Sequence, residues 1–328
     1  MNFPDAYSCF AIDSEEAFNK HALALFHFQA DEIPIYRDYL IALKIDKAAI
    51  THWKNIPCLP ISFFKTHQLI AKDKSAEIIF TSSGTTGMIT SSHHVTEIKL
   101  YEESFLKAFE MFYGNPKNYC ILALLPAYLE REGSSLVYMA DRLIKESNHI
   151  NSGFYLNQYA ELSKLLSSLH DQKKSTILIG VTFALLDLVE QFPLSFPELI
   201  IIETGGMKGR RKEIIREELH QILMKGFNVN SIHSEYGMTE LLSQAYSKGN
   251  GVFNCPPWMK IAVREINDPF VNVNVGQSGG LNVIDLANVY SCAFIATQDL
   301  GKQNEDENFE VLGRFDNSDL RGCNLLVQ

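Results

Sequence analysis

The chain has 328 residues, of which 46% are hydrophobic and 21% are charged, and its formal net charge is −10. This composition is that of a globular protein and excludes a disordered or fibrous chain. Because an acidic surface repels a phosphate backbone, we expect no nucleic-acid partner.

The sequence shows no pattern for targeting or for spanning a membrane. The first ten residues lack a basic segment followed by an apolar core. The longest apolar runs, at 120–125 and 177–188, are too short or too interrupted to cross a bilayer. The six cysteines are scattered without a C-x-x-C pair, which argues against a zinc site and a disulfide framework. We therefore expect a cytoplasmic protein with reduced thiols and no membrane span.

The first predicted element is a helix close to the N-terminus. Asp13 and Glu16 have the spacing of a capping box. The apolar residues that follow recur on one helical face: Phe18, Ala22, Leu25 and Phe26. A helix interior is excluded at 56–60, because Pro57 and Pro60 fix the backbone there.

From about Glu77 the pattern alternates between strands and helices. A short strand is predicted at 77–80, and the continuous apolar runs at 177–181 and 199–202 predict strands covered on both faces. An amphipathic helix is predicted between Lys208 and Lys225, with Gly226 as its stop. Its inward residues are predicted to be Ile214, Ile215, Leu219, Ile222 and Leu223.

After about Lys260 the segments become short, alternating and separated by Gly, Asn and Asp. This pattern predicts a β-rich subdomain. We therefore divide the chain into an α/β core at 1–260 and a β-rich subdomain at 261–328, packed on the core.

A Ser/Thr/Gly loop at 81–87 is the sharpest local feature. It follows a predicted strand directly, and it offers hydroxyl and backbone N–H donors together with glycines that let a ligand come close. It is not a Walker A loop, because no Gly-Lys-Ser/Thr follows. A plain surface loop is the alternative. The candidate phosphate-binding residues are Thr81, Ser82, Ser83, Gly84, Thr85, Thr86 and Gly87.

This loop resembles the phosphate-binding signature of the adenylate-forming superfamily of acyl-CoA synthetases, luciferases and peptide-synthetase adenylation domains. Residues 203–207 resemble the Gly-rich turn beside the adenine in that superfamily, which implicates Gly205 and Gly206. Residues 297–299 resemble its Thr-Gly-Asp element, with Asp299 on the ribose hydroxyls. Residues 313–316 resemble its Gly-Arg-x-Asp hinge, with Arg314 on ribose or phosphate.

Residues 235–240 resemble the Tyr-Gly-x-Thr-Glu motif of the same superfamily. The resemblance implies that Tyr236 stacks on the purine and that Gly237 admits close approach. Thr239 would donate to the α-phosphate, and Glu240 would hold Mg²⁺ through its carboxylate. ATP and Mg²⁺ are therefore the implied cofactors. We assign no role to His93, His94 or His233.

Other segments resemble the acyl-protein synthetase of the bacterial bioluminescence fatty-acid reductase system: residues 59–65, 125–129, 133–136 and 204–213. That family activates a fatty acid with ATP and carries the acyl group on a cysteine near its C-terminus. It then passes the group to a reductase partner. Cys323 occupies the corresponding position here, with a packing residue as the alternative.

The resemblance implies an α/β fold, the large N-terminal domain of adenylate-forming enzymes, with layered sheets and a β-rich C-terminal subdomain. The sequence departs from the superfamily in two ways. No Pro-Lys follows Gly87, and the hinge motif lies close to the end of the sequence, so we expect the small lid domain and its catalytic lysine to be missing. Lys208, near Arg210 and Arg211, is the favoured replacement cation, and a solvated helix start is the alternative.

The sequence and its resemblances thus predict an AMP-forming acid–thiol ligase of the long-chain fatty acid–protein type. Lys208, Cys323 and Thr239 are its catalytic candidates. Its expected partners are a fatty or other carboxylic acid and an acyl-reductase or acyl-acceptor protein. Two alternatives stay open: an AMP-forming acyl- or aryl-CoA ligase, and a catalytically degenerate nucleotide- or acyl-binding subunit.

Overall fold

The computed structural model describes residues 5–82, 89–125, 133–205 and 214–315. Its α-helices are α1 (Glu15–Glu32), α2 (Pro34–Ala42), α3 (Phe63–Thr66), α4 (Ile98–Tyr113), α5 (Ser135–Ser147), α6 (Tyr159–Asp171), α7 (Thr182–Gln191) and α8 (Arg216–Phe227). Short 3-10 helices span Ala6–Ala11, Lys47–Ala49, Trp53–Asn55 and Pro116–Asn118.

The strands in these ranges are β1 (Leu59–Pro60), β2 (Ile78–Thr81), β3 (Ser92–Val95), β4 (Cys120–Leu124), β5 (Gly153–Tyr155), β6 (Thr176–Val181), β7 (Ile200–Thr204), β8 (His233–Tyr236), β9 (Ala245–Ser247), β10 (Val252–Asn254), β11 (Met259–Arg264), β12 (Ser278–Asp285), β13 (Phe294–Gln303) and β14 (Phe309–Arg314).

By the density of its internal packing the chain forms two compact units. Among the described residues, the first unit combines 5–74 with 257–315, and the second comprises 75–256. We find no third unit in the part of the chain that the structure describes. The division at residue 260 stays a prediction.

The N-terminal helix is confirmed as α1, which buries Phe18, Ala22, Leu25 and Phe26 as predicted. The predicted capping box is wrong by one residue. Ser14 is the N-cap, because its backbone is extended and its hydroxyl accepts a hydrogen bond from the N–H of Ala17 at 3.3 Å. Glu16 instead lies in the first turn, where its charge favours the positive end of the helix dipole.

The sheet of the first unit is built from its C-terminal part. Strands β11, β12, β13 and β14 pair in that order, each antiparallel to the next. Strand β1 joins from the N-terminal part and runs parallel to β13, with Leu59 opposite Ile295. The predicted β-rich character after residue 260 is thus confirmed for the described residues.

The second unit holds a parallel sheet in the order β5, β4, β6, β7 and β8. Strands β9 and β10 extend it from β8 in antiparallel fashion. Every residue of β4 and β6 is buried, as expected of strands covered on both faces. The carboxyl ends of these parallel strands therefore meet at one edge, where ligand sites of α/β folds form.

Helix α8 differs from its prediction at both the stop and the inward face. The helix ends at Phe227, and Asn228 caps it with a left-handed backbone of φ 55°. Gly226 lies inside the helix, where an added Cβ would come within 2.6 Å of Val189 Cβ on α7. Gly226 therefore permits close helix packing. Leu219 and Leu223 are buried as predicted, whereas Ile215 and Ile222 are exposed.

A separate two-stranded hairpin, β2 with β3, carries the base of the predicted phosphate loop. Phe80 of β2 lies opposite His93 of β3, and Thr81 lies opposite Ser92. Phe80 is buried and packs edge-on against Tyr101 of α4. The hairpin is thus anchored in the core of the second unit. In the described residues, no helix has the length and apolar character needed to traverse a bilayer.

Candidate active site

Part of the predicted site falls outside the residues that the structure describes. These candidates are Ser83, Gly84, Thr85, Thr86, Gly87, Gly206, Lys208 and Cys323. The other candidates divide between the two units. Thr81, Ser82, Gly205 and residues 236–240 belong to the second unit, and Asp299 and Arg314 belong to the first.

Thr81 and Ser82 end the strand from which the predicted phosphate loop departs. The N–H of Thr81 donates to the carbonyl of Gly133 at 2.8 Å, and the N–H of Ser82 donates to the carbonyl of Ser91 at 3.0 Å. The Ser82 hydroxyl also accepts from the N–H of Ser91 at 2.9 Å. This reciprocal pair closes the base of the loop and leaves the hydroxyl proton of Ser82 available for donation.

His93 ties this hairpin to the Tyr-Gly turn that follows β8. Its ring is 1% exposed, and its Nδ1 lies 2.8 Å from the carbonyl oxygen of Thr239. Because a carbonyl can only accept, Nδ1 carries the proton. Two predicted site elements, separated by 146 residues in sequence, are therefore held together by one buried hydrogen bond. The sequence alone assigns no role to His93.

The Tyr-Gly turn stands at the carboxyl edge of the parallel sheet. Strands β7 and β8 pair with Thr204 opposite Glu235, so Gly205 and Tyr236 follow at the same edge. Tyr236 is mostly buried and packs at 5.9 Å against the ring of Phe253. A Cβ at Gly205 would meet no atom of the described residues within 4 Å.

The side chain of Glu235, which precedes the turn, leaves no room for a Cβ at residue 237. A Cβ at residue 237 would lie 2.3 Å from Oε1 of Glu235 and 3.2 Å from Cγ of Gln244. The other carboxylate oxygen of Glu235, Oε2, accepts from the hydroxyl of Thr204 at 2.9 Å. The Glu235 carboxyl group is thus held between Thr204 and the backbone of Gly237.

Two neighbouring strands, β7 and β8, each carry a buried carboxyl group, and the register places them on opposite faces of the sheet. Burial raises the pKa of Glu203, while hydrogen bonding from Thr182 and the charge of Arg216 oppose the shift. Burial also raises the pKa of Glu235 to about 7; the charge of Glu203 adds to this shift and the bond from Thr204 opposes it. Glu235 is therefore a carboxyl group that titrates near neutral pH.

Thr239 and Glu240 complete the turn. Glu240 is 5% exposed. Among the described residues, no group of three or more His, Cys, Asp and Glu side chains could hold a metal ion. A single carboxylate nevertheless fits Mg²⁺, which binds one or two protein carboxylates and takes its other ligands from phosphates and water.

In the first unit the structure brings Asp299 and Arg314 together. They lie opposite each other in the β13–β14 pair, and Arg314 Nε donates to Asp299 Oδ1 at 3.1 Å. The Asp299 side chain is 9% exposed and that of Arg314 is 74% exposed. Thr297 positions this segment, since its hydroxyl accepts from the N–H of Asp299 and donates to the carbonyl of Leu281.

His233 has a structural role. Its ring stacks on Tyr113, and Nδ1 lies 3.3 Å from the Tyr113 hydroxyl. Burial and the charge of Lys248 lower its pKa to about 4, so the ring is uncharged at neutral pH. An uncharged, stacked histidine agrees with leaving His233 without a chemical role.

The described cysteines are free thiols. Burial raises the pKa of Cys58 and of Cys292 to about 12, and it also raises the pKa values of Cys9 and Cys120. Because the thiolate is the nucleophilic form, these four thiols are poorly suited to carry an acyl group.

The chain is similar to one protein family and to several solved structures. The family model described as "Acyl-protein synthetase, LuxE" matches residues 6–328. The chain belongs to the LuxE acyl-protein synthetase family. No curated protein sequence matches it significantly.

Solved structures show the fold of this LuxE family member. A 2-hydroxyisobutyryl-CoA ligase in an open conformation, in complex with 2-HIB-AMP and CoA, matches with a TM-score of 0.69 at 11% identity. That match covers 92% of this chain and 70% of the ligase. ATP-bound MatB from Rhodopseudomonas palustris matches with a TM-score of 0.54 at 17% identity, covering 74% of this chain and 50% of MatB.

These findings confirm two predictions: the acyl-protein synthetase family, and the α/β fold of adenylate-forming enzymes. The chain spans about half the length of MatB and 70% of the 2-hydroxyisobutyryl-CoA ligase. The predicted activity, that of an acyl-protein synthetase, is confirmed at the level of the family.

Three polar residues of the second unit escaped the sequence analysis: His93, Glu203 and Glu235. Only Glu203 gave a local signal, as a charged residue directly after the apolar run 199–202, whereas His93 and Glu235 stand among other polar residues. Such residues are rarely buried without a specific partner. The partners here, Thr239, Thr182 and Thr204, lie on other elements, so the local sequence does not reveal them.

Proposed function

We propose that this protein activates a long-chain fatty acid with ATP and Mg²⁺ as an acyl-AMP, and then transfers the acyl group to the thiol of Cys323. The observation that carries the proposal is the bond from His93 to the Thr239 carbonyl. It joins the base of the hydroxyl-rich loop to the turn containing Thr239 and Glu240. A polyphosphate and its metal ion need both elements at one place.

The solved neighbours support the use of ATP. One MatB structure is described as ATP-bound, and the 2-hydroxyisobutyryl-CoA ligase is described with an acyl-AMP, 2-HIB-AMP. In our proposal residues 81–87 grip the phosphates. The Gly205–Gly206 turn lies along the adenine, and Tyr236 with Gly237 contacts the purine. Asp299 and Arg314 bind the ribose.

Activation requires negative charge at the α-phosphate to be stabilised. We assign donation to the Thr239 hydroxyl and positive charge to Lys208. Glu240 would hold Mg²⁺, which supplies further charge stabilisation when bound. The buried bond from His93 to the Thr239 carbonyl supports this assignment, because it fixes the backbone that presents Thr239 and Glu240.

Transfer needs a thiol that ionises readily. The raised pKa values of Cys9, Cys58, Cys120 and Cys292 disfavour these four thiols. Cys255 and Cys323 are left, and we choose Cys323 because its position resembles that of the acyl-carrying cysteine in the family. Free thiols throughout the described residues also support a reducing compartment, and we propose the cytoplasm. An acyl-reductase would then accept the acyl group from the enzyme.

One assay with two readouts tests this proposal. The protein is incubated with ATP, Mg²⁺ and radiolabelled fatty acids of about 8 to 16 carbons, a roughly twofold range in apolar area. We expect acid-dependent exchange of pyrophosphate into ATP. We also expect label on the protein that hydroxylamine releases, as it does for a thioester.

The variants Cys323→Ser and Cys120→Ser separate the two steps. Cys323→Ser should keep the exchange and lose the protein label, whereas the matched control Cys120→Ser should keep both. Exchange with label found only on added coenzyme A would instead identify a CoA ligase, which the CoA-bound neighbour makes the second candidate. No exchange with any acid would contradict the proposal and favour a binding subunit.

A further inference from the structure

Strand β13 contains a β-bulge at Asp299, one of the two residues proposed to bind the ribose. The register of its pairing with β12 shifts between Gly280 and Asn282. Residues 297–299 of β13 consequently stand opposite Leu281 alone. Such a bulge interrupts the ladder of backbone hydrogen bonds and changes the direction of its side chains. The direction of the Asp299 side chain therefore depends on what holds this bulge in shape.

Arg264 of β11 supplies hydrogen bonds to both sides of the bulge. Its Nη1 donates to the carbonyl of Leu281 at 2.8 Å and to Oδ1 of Asn282 at 3.0 Å. Its Nη2 donates to the carbonyl of Thr297 at 2.6 Å. The planar fork of donors in a guanidinium allows this simultaneous bonding. One side chain thus joins β12 to β13 where their own ladder is interrupted.

Two glycines of β12 give the Arg264 side chain room to cross that strand. Arg264 lies opposite Gly280 in the β11–β12 pair. A Cβ at Gly280 would lie 2.5 Å from Cζ of Arg264, and a Cβ at Gly279 would lie 2.1 Å from its carbonyl oxygen. Neighbouring strands are about 4.8 Å apart, so the guanidinium reaches past its direct neighbour to the next strand. The close approach of Arg264 therefore requires both glycines.

Thr297 transmits this constraint to the backbone of Asp299. The Thr297 hydroxyl donates to the same Leu281 carbonyl at 2.8 Å and accepts from the N–H of Asp299 at 3.1 Å. Thr297 and Asp299 are both buried. A continuous chain of hydrogen bonds therefore runs from the guanidinium of Arg264 to the residue proposed to bind the ribose.

Arg264 also contacts the segment that carries the other proposed ribose ligand, Arg314. Phe315 directly follows Arg314, and its N–H donates to the carbonyl of Gln298 in the bulge at 2.8 Å. The centroid of the Phe315 ring lies 6.0 Å from Cζ of Arg264, at the outer limit of a cation–π contact. The supports of Asp299 and Arg314 thus meet at one guanidinium.

We propose that Arg264 is a positioning residue for ribose binding. It holds the bulge that aims Asp299 and Arg314 at the ribose hydroxyls, and it makes no contact with the nucleotide itself. The inference rests on the proposed function, since it concerns the ribose end of the same ATP site. Without Arg264 the buried carbonyls of the bulge lose their donors and the bulge relaxes, so the hydrogen bonds to the ribose lose their geometry.

The preference for a complete ribose tests this inference. KM is measured by pyrophosphate exchange for ATP and for 2′,3′-dideoxy-ATP, which lacks both ribose hydroxyls. The wild-type KM should be about a hundredfold lower for ATP, because each hydrogen bond to a charged group contributes about tenfold.

Arg264→Met removes the donors and keeps an apolar side chain that fills the same path. It should raise the KM for ATP about tenfold and leave the KM for the dideoxy analogue near its wild-type value, so that the preference falls to about tenfold. The matched control is Arg37→Met, at an arginine of the same unit that pairs with Asp38 at the surface. This control should keep the full preference.

Arg264→Lys keeps the charge, but a single ammonium cannot reproduce the fork of donors. It should lower the preference by about threefold, and it decides the question if Arg264→Met does not fold. A purely structural role of Arg264 would lower kcat equally for both nucleotides and leave the preference unchanged. That result would overturn the inference, as would a wild-type protein without any preference.

A double variant shows whether Arg264 acts through Asp299. Asp299→Ala alone should remove most of the preference. Adding Arg264→Met to it should change the KM for ATP by less than about twofold, because residues that act through one another have non-additive effects. Fully additive effects would contradict the proposed role.

Calorimetry without acid or turnover keeps this test separate from the proposed function. The dissociation constants of AMP and 2′,3′-dideoxy-AMP are compared for the wild-type and Arg264→Met proteins. A preference that Arg264→Met weakens, found without pyrophosphate exchange, would support the role of Arg264 and reject adenylation alone. Exchange with a preference that no Arg264 variant changes would reject the role of Arg264 alone.

Discussion

At the scale of single residues, the end of β8 shows how one carboxyl group constrains its neighbours. Glu235 accepts from Thr204 on one side and leaves no room for a Cβ at residue 237 on the other. The glycine of the Tyr-Gly turn is therefore required by an internal contact, independently of any ligand.

Gly237→Ala should destabilise the protein by about 1–3 kcal/mol, because the new methyl group collides with a side chain that is held by burial and by Thr204. Urea unfolding measures this change. The control is Gly153→Ala in β5, where a Cβ meets no atom of the described residues within 4 Å and the expected change is within about 0.5 kcal/mol. Equal stability of the two variants would show that Glu235 moves aside freely.

Local sequence predicts glycines and motif residues well, because turn geometry and close approach depend on the residue itself. Gly237 was named from its motif alone, and its contact with Glu235 was not foreseen. The roles of Glu203 and Glu235 depend on the register between β7 and β8, which pairs Glu203 with Ser234 and Thr204 with Glu235. Register between distant strands cannot be read from either strand alone.

At the scale of elements, the β2–β3 hairpin connects the start of the loop at 81–87 with the Tyr-Gly turn. One end is closed by the reciprocal bonds of Ser82 and Ser91. His93, one strand over, holds the carbonyl of Thr239. A substitution at His93 should therefore weaken ATP binding at the proposed phosphate site, although His93 itself has no proposed contact with ATP.

His93→Leu should raise the KM for ATP about tenfold in pyrophosphate exchange, because a buried carbonyl loses its donor and the turn is released. His93→Asn should recover most of the affinity, since its amide nitrogen takes the place of Nδ1 and can donate. His94→Leu, at the next position of β3, is the matched control and should leave the KM near the wild-type value. Identical KM values for His93→Leu and His93→Asn would contradict a role of the His93–Thr239 hydrogen bond in ATP binding.

Helices and strands with a strong periodicity of apolar residues could be predicted from the sequence. The residues at which they end were harder to predict. The existence of α1 and the strands β6 and β7 followed from apolar pattern. The end of α8 did not, because Gly226 serves packing against Val189 while Asn228 supplies the left-handed cap. A glycine near a helix end has two explanations, and only the neighbouring helix distinguishes them.

At the scale of the whole molecule, the first unit is assembled from two distant parts of the sequence. Gln29 of α1 is fully buried; its amide nitrogen donates to the carbonyls of Asn288 and Val289, and its oxygen accepts from the N–H of Ala293. One side chain thus satisfies three backbone groups between β12 and β13, more than 250 residues away.

Gln29→Leu should reduce the free energy of unfolding by about 3 kcal/mol, because buried backbone groups lose their partners and leucine cannot replace them. Chemical denaturation monitored by circular dichroism gives the value. Gln172→Leu, an exposed glutamine that bonds to Ser168, is the control and should change stability by less than about 0.5 kcal/mol. A small effect at Gln29 would mean that water or other side chains replace its bonds.

Composition and motif order were enough to predict the fold class and the family. Both follow from features spread along the whole sequence, such as the hydroxyl-rich loop and the Tyr-Gly motif. The joining of residues 5–74 to 257–315 was not predicted, because it depends on contacts such as those of Gln29.

The discontinuity of the first unit sets an order for its assembly during synthesis. Phe26 on α1 packs edge-on against Phe294 of β13, a residue that leaves the ribosome only after all of 75–256 has been made. At about 5–20 residues per second, that interval lasts on the order of 10–40 s. Throughout this time Phe26 lacks its partner on β13, so the core of the first unit can close only after the second unit has been made.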